Sequence, residues 1–178
     1  MKIIKQLVLT SILVLFASAV FAETKMRITL QLPLKAHLGQ NLLVFKKELE
    51  KRSDIIVEIY DSAQLYKDKE VPQAVGSGAI EAGVASLTRF AGTNPEVDIF
   101  YLPFLFDSEK KIRKATKSGS KIRQVLDPAI SKSGAVPLYY QAYGSAVMLS
   151  NGTPMNTPAA FKNKKIRVFG KTLGAFVS

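Results

Sequence analysis

The stretch from Met26 to Tyr60, MRITLQLPLKAHLGQNLLVFKKELEKRSDIIVEIY, contains two changes of hydrophobic period that set the architecture. Met26, Ile28, Leu30 and Leu32 alternate with Arg27, Thr29 and Gln31, the period-two pattern of a strand with one buried face, and Pro33 stops it. From Ala36 to Arg52 the spacing becomes helical: Leu38, Leu42, Phe45 and Leu49 share one face, while Gln40, Asn41, Lys46, Lys47 and Glu50 take the others. Ile55 to Tyr60 is a β-branched run closing in Asp61-Ser62, a second strand. Two strands joined by such a helix predict a parallel βαβ unit, since parallel neighbours need a long crossover.

Further along, Val71, Ala74, Val75 and Gly78 keep helical spacing, with Asp68 expected to cap the helix and Pro72 tolerable only near its start. Ala82 to Ala85, between Glu81 and Ser86, reads as a short third strand. The order is then β-α-β-α-β, an α/β fold whose ligands bind outside the carboxyl ends of the strands. That rule points to Gln31–Leu34, Asp61–Asp68 and Ser86–Phe90. The aromatic-rich run Asp98–Asp107 is broken by Pro103 and is expected to be a buried irregular segment, with Phe100, Tyr101, Phe104 and Phe106 packing a core or supporting a hinge. Ser108–Lys117 and Lys121–Ser133 read as helices punctuated by Gly119 and Gly134. Ala135–Tyr143, Ala146–Ser150 and Lys165–Phe169 read as strands, Asn151–Pro154 as a turn, and Leu173–Val177 as the start of an apolar helix with no capping finish. The last feature leads us to expect part of a longer chain.

Upstream, Lys2 and Lys5 precede the apolar run Leu7–Phe16, and small residues lead to Val20-Phe21-Ala22, the pattern of a secretory signal peptide over residues 1–22. Cleavage is expected after Ala22, with Ala19 the second choice. A membrane anchor is the competing reading, but Lys5 and Gln6 leave its apolar part short, and no later segment reaches the ~18 apolar residues of a span. An exported, periplasmic protein is the expectation.

The 178 residues include no Cys and one His, His37, which excludes disulfides, thiolate metal sites and His-pair zinc sites, and no Gly-x-Ser-x-Gly elbow occurs. No cofactor is expected. Net charge is +11, and without Lys2 and Lys5 there are 23 basic residues against 14 acidic, or +9. Such a surface favours an anionic partner. The basic residues are scattered, with no phosphate loop or aromatic-basic stack, so nucleic acid is discounted in favour of small organic anions.

Several stretches together resemble the DctP-type extracytoplasmic solute-binding proteins of tripartite ATP-independent periplasmic (TRAP) transporters. They are Asp61-Ser62-Ala63-Gln64-Leu65, Val71–Gly83 with its Gly76-Ser77-Gly78-Ala79-Ile80-Glu81-Ala82-Gly83 run, Thr88-Arg89-Phe90, Pro95–Phe106 with Leu102-Pro103-Phe104, and Lys165-Ile166-Arg167-Val168. The resemblance implies a periplasmic-binding-protein-like two-lobe α/β fold, of which this chain is the N-terminal part. It divides the chain into residues 23–143 as the first lobe and 144–178 as the crossover and start of an incomplete second. It implies capture of a small organic carboxylate and its delivery to TRAP membrane permease subunits, with no chemistry performed. It places the substrate-carboxylate arginine at Arg167, and further ligand contacts at Arg89, Gln31, Asp68 and Ser86. Guanidinium suits the first role because its planar fork matches a carboxylate. Two departures bear on specificity: Ser86 stands where some members are acidic, and Gly144–Leu149 lacks the extra arginine of sialic-acid-type members. One arginine favours a monocarboxylate, unless Arg89 supplies a second cation. His37 lies near the cleft but is expected to be a solvent-exposed helix-end residue. Two other readings compete: an exported α/β hydrolase-like enzyme using Asp68 or Glu81 as acid or base, and an inactive truncated remnant.

Overall fold

Residues 23–152 and 154–178 are described by a computed structural model. The expected signal peptide, residues 1–22, lies outside the described residues. The βαβ expectation holds: strand β1 (Thr24–Thr29), helix α1 (His37–Arg52) and strand β2 (Ile55–Tyr60) follow in order. β1 pairs in parallel with β2 from Thr24↔Ile55 to Thr29↔Tyr60. Helix α2 (Val71–Gly76) leads to strand β3 (Ala82–Gly83), which joins the other side of β1 in parallel at Ile28↔Ala82 and Thr29↔Gly83. The sheet order is therefore β2-β1-β3, with the first strand in the middle.

That central place changes the expected burial of β1. Its carboxyl end is covered on both faces: Ile28, Thr29 and Leu30 are all buried, as is usual for parallel strands. Thr29 is tolerated there because its hydroxyl meets both the carbonyl and the amide of Tyr66, each at 3.4 Å. Ile28, Leu30, Leu38, Leu42 and Val57 form the core beneath α1, each contributing ~1.5–3 kcal/mol of burial at full coverage. A second core gathers Phe90, Val97, Leu126 and Ile130 with Phe100, Ile122 and Tyr140 packed against it.

Helices α3 (Glu109–Thr116) and α4 (Lys121–Ser131) match expectation, and their serine caps are in place: Ser108 Oγ accepts from the Lys111 amide and Ser120 Oγ from the Arg123 amide. Gly119 and Gly134 take the left-handed conformations that end them (φ 75° and 84°). A final helix, α5 (Lys171–Val177), occupies the expected apolar segment.

Five expectations are corrected. Ala135–Tyr143 and Ala146–Ser150 are not strands; they form no ladder, and Val136, Leu138, Val147 and Leu149 are exposed, so the half-buried pleated surface that strand-forming residues need is missing. Lys165–Phe169 is likewise unpaired. The Asp98–Asp107 segment is only partly buried: Pro95–Tyr101 winds into a 3-10 helix and Phe100 stacks on Phe106 at 4.9 Å, but Phe104 is 84% exposed. Asp68 does not cap α2, whose N-cap is Glu70 with no side-chain capping bond; the Asp68 carboxylate turns toward Ser86 and Arg89 instead. Among the described residues no helix is long and apolar enough to cross a membrane.

Candidate functional site

The loops leaving the carboxyl ends of the three strands are tied to one another by side chains. After β2, Ser62 and Ala63 adopt left-handed backbone (φ 52° and 58°), a sparsely populated region for residues with a Cβ. This bend lets Ser62 N donate to Leu32 O at 3.0 Å and Ala63 N to Leu30 O at 2.9 Å, stitching the β2 loop to the end of β1. Asp61 completes the seam, accepting from Leu34 N at 2.9 Å and from Gln64 Nε2 at 3.0 Å. The Asp61-Ser62-Ala63-Gln64 run is thus a backbone device that fixes the rim.

On the β3 side, three of the five candidate residues converge. Asp68 Oδ1 accepts from the Ser86 amide at 2.8 Å, and Asp68 Oδ2 takes the Nε–H of Arg89 in a short charge-assisted bond. Nε is the guanidinium's side position, and no other hydrogen bond or ion pair involves this head group among the described residues, so the two terminal nitrogens keep their donors for another partner. Those nitrogens carry the parallel N–H pair able to grip a carboxylate bidentately. The Ser86 hydroxyl makes no hydrogen bond among the described residues.

Gln31, just past β1, presents a side-chain carbonyl oxygen that is buried with no hydrogen-bond partner in the structure. An orphaned acceptor of this kind costs ~1–3 kcal/mol, and it is satisfied by any donor reaching it. The Nε2 of Gln141 is buried and unpartnered in the same way.

Arg167 is exposed, its guanidinium carbon 4.8 Å from the centre of the Phe169 ring, a cation–π contact that orients it without neutralising it. It forms no ion pair among the described residues. Its segment is brought to the rim by Thr88, whose hydroxyl donates to Phe169 O at 3.4 Å. Arg89 follows Thr88 directly, so both candidate arginines flank one contact. The Arg167 strand expectation fails, yet the residue still comes to the carboxyl side of the sheet.

Sequence reasoning singled out Arg89 in its loop, took Thr88 only as part of the Thr88-Arg89-Phe90 stretch and Tyr101 only as a core or hinge aromatic, and gave Phe169 no role. The Tyr101 hydroxyl accepts from the Thr88 amide at 3.3 Å, and burial pushes its ionisation above the usual tyrosine range. Only hydroxyl-bearing residues next to the candidate arginine could have drawn attention to them. His37 begins α1 as expected, exposed, with its ring edge-on to Tyr143 at 6.2 Å and Nε2 3.3 Å from Ala142 O.

Two hollows lie elsewhere. One, of about 450 Å³, sits between Pro95, Ile99, Leu102 and the α4 residues Ile122, Val125 and Leu126. The other, of about 740 Å³, lies at the amino ends of the strands beside Thr24, Glu50 and Ile55. The candidate residues instead line an open rim.

The two carboxylates weighed as an acid or base, Asp68 and Glu81, are both committed. Arg27 grips Glu81 through Nε at 2.8 Å, a terminal nitrogen at 2.7 Å and its own amide at 2.9 Å, drawing the Glu81 carboxyl down to about 2. A carboxylate held so low donates no proton near neutral pH and accepts one weakly. Asp68 has a partner on each oxygen. Among the described residues no cluster of acidic and His side chains could hold a metal.

The profile of the bacterial extracellular solute-binding proteins, family 7 (DctP), matches residues 30–177. A C4-dicarboxylate-binding periplasmic protein DctP of Rhodobacter capsulatus is 29% identical over 133 residues, 73% of this chain and 39% of the relative. Among solved structures, a TRAP periplasmic solute-binding protein of Pseudomonas aeruginosa with bound L-malate superposes with TM-score 0.59 at 25% identity, over 65% of this chain and 40% of that one. One from Polaromonas bound to D-erythronate gives TM-score 0.59 at 25% identity, over 66% and 39%. The chain spans about two fifths of the length of these proteins. Its parallel α/β sheet is accordingly part of the periplasmic-binding-protein-like two-lobe fold of these receptors, whose family is one of solute binders. With the profile running from the end of β1 into α5, through every loop of the rim, the chain belongs to the bacterial extracellular solute-binding proteins of family 7, the DctP family.

Proposed function

We propose that this protein is the periplasmic solute-binding subunit of a TRAP-type transporter, that it captures a small organic carboxylate without chemical conversion, and that it hands the acid to the membrane permease. The observation that carries the reading is the state of the two arginines: Arg89 is aimed through Nε by Asp68, and Arg167 forms no ion pair among the described residues. Arg167 grips the carboxylate and Arg89 provides a second set of donors. Gln31 accepts from a ligand hydroxyl, Ser86 offers a neutral hydroxyl, and Asp68 positions Arg89. Residues 23–143 act as the first lobe and 144–178 as the crossover and entry into the second. Tyr139 against Phe45 at 6.0 Å and Tyr140 packed against the second core support counting the 135–143 segment with the first lobe.

Charge narrows the ligand. Asp68 cancels Arg89, so the cluster carries one net positive charge from Arg167, which suits one carboxylate better than two. The orphaned Gln31 carbonyl favours a hydroxyl nearby. Malate and erythronate, held by the two structural neighbours, are both four-carbon 2-hydroxy acids. A small hydroxy-monocarboxylate is the ligand class proposed here.

Titration calorimetry against a panel of hydroxy acids, simple monocarboxylates and dicarboxylates tests the reading. A hydroxy-monocarboxylate should bind best, more weakly at higher salt, and Arg167→Ala should lower affinity at least tenfold. Binding of no panel member, or undiminished affinity in Arg167→Ala, overturns it.

A further inference from the structure

Arg167 sits on a segment with no ladder of its own, so something else must fix where its guanidinium points. Two long-range side-chain bonds do so, one on each side of Gly170. Before it, the Thr88 hydroxyl donates to Phe169 O across 81 positions of sequence. After it, Thr172 Oγ1 donates to Asp98 Oδ2 at 2.6 Å across 74 positions. Glycine at 170 leaves room for this bond, because a Cβ there would lie 2.7 Å from Thr88 Oγ1 and displace that hydroxyl.

The second bond is the stronger, being short and to a carboxylate. Asp98 is costly where it stands: its other oxygen is buried with no hydrogen-bond partner. A carboxylate kept under those conditions for a single hydroxyl marks that contact as more than surface decoration. Thr172 lies in the first turn of α5, two residues beyond the glycine and three beyond Phe169, whose ring carries the Arg167 guanidinium.

We propose that Asp98 and Thr172 are positioning residues for ligand capture: their bond, with that of Thr88 to Phe169, pins the Phe169–Thr172 turn to the first lobe and thereby seats Arg167 beside the Arg89 loop. Neither residue touches the ligand. The assignment rests on the carboxylate-binding reading for its effect on affinity, but the pin itself is a statement about the turn alone.

The test uses Thr172→Val, which keeps the shape and removes the hydroxyl, and Thr172→Ser, which restores it. Amide hydrogen exchange over residues 174–177 of α5, beginning with Gly174 N, which donates to Gly170 O at 3.0 Å, reads the pin directly, and titration with the best carboxylate of the panel reads its effect on capture. Thr172→Val should exchange at least tenfold faster in that segment and bind about tenfold more weakly, with the secondary structure unchanged; Thr172→Ser should recover both. Thr88→Val, on the other pin, should accelerate exchange in the same segment and serves if Thr172→Val does not fold. Unaltered protection in the valine variants, or no recovery with serine, overturns the proposal. If the unsubstituted protein binds no carboxylate, the functional reading falls while the exchange comparison still decides the pin.

Discussion

Replacing Gly39 by alanine separates what helix propensity predicts from what packing predicts. In an open helix interior the change stabilises by ~0.8–1.0 kcal/mol, since glycine loses more backbone freedom on folding. Gly39 is the third residue of α1 and is buried against the loop that leaves β1. A Cβ there would lie 2.5 Å from Leu34 O and 2.6 Å from Leu34 Cα, against an ordinary carbon–oxygen contact of about 3.3 Å. The neighbour is backbone and is held in place: Leu34 N donates to Asp61, and Leu34 O accepts from Gln40 Nε2 at 2.8 Å. Overpacking of this kind costs ~1–3 kcal/mol, and the fixed backbone puts it at the upper end. Less the propensity gain, Gly39→Ala should lose about 2 kcal/mol, or roughly 4–8 °C in Tm for a domain of this size. Gly92→Ala is the control, because a Cβ there meets nothing within 4 Å, and it should be neutral or stabilised by ~0.4–1 kcal/mol. Urea unfolding followed by circular dichroism compares the three proteins; a Gly39→Ala variant as stable as the parent would refute the packing argument.

Two further outcomes follow from local geometry. Arg27 depresses Glu81 from 4.5 to about 2, so the stabilisation from this pair is fully present above pH 4.5 and is lost as pH falls through about 2. Glu81→Gln should therefore flatten the acid limb of the stability curve in that window and leave its neutral limb parallel to the parent's, as followed by urea midpoints at stepped pH. Ser120→Ala removes the acceptor for the Arg123 amide at 3.1 Å and should lower stability by about 1 kcal/mol, visible as a shift in urea midpoint with unchanged slope.

The first half of the fold was legible because its period changes are clean. Leu38, Leu42, Phe45 and Leu49 mark one face of α1, and Ile55–Tyr60 is β2 to the residue. Reading failed where a segment's partner is remote. Val136, Leu138, Val147 and Leu149 carry strand-forming side chains, but a strand is a relation between two segments, and among the described residues no segment pairs with theirs. Asp68 illustrates the same limit at the site: its place before a helix looks like a cap, and only the fold shows that Ser86 and Arg89, 18 and 21 positions away, claim its two oxygens. The candidate list of Arg89, Gln31, Asp68 and Ser86 came from the rule about strand ends and from the family resemblance. That the β3-side residues touch one another is information only the fold supplies.

The position of β1 in the middle of the sheet has a consequence for biosynthesis. The segment made first is the one both later strands must dock on, so the nascent polypeptide carries its template from the outset and can recruit β2 and then β3 in the order they emerge. Disruption of β1 would therefore loosen the seams on both of its flanks together, whereas disruption of β2 would spoil a single seam.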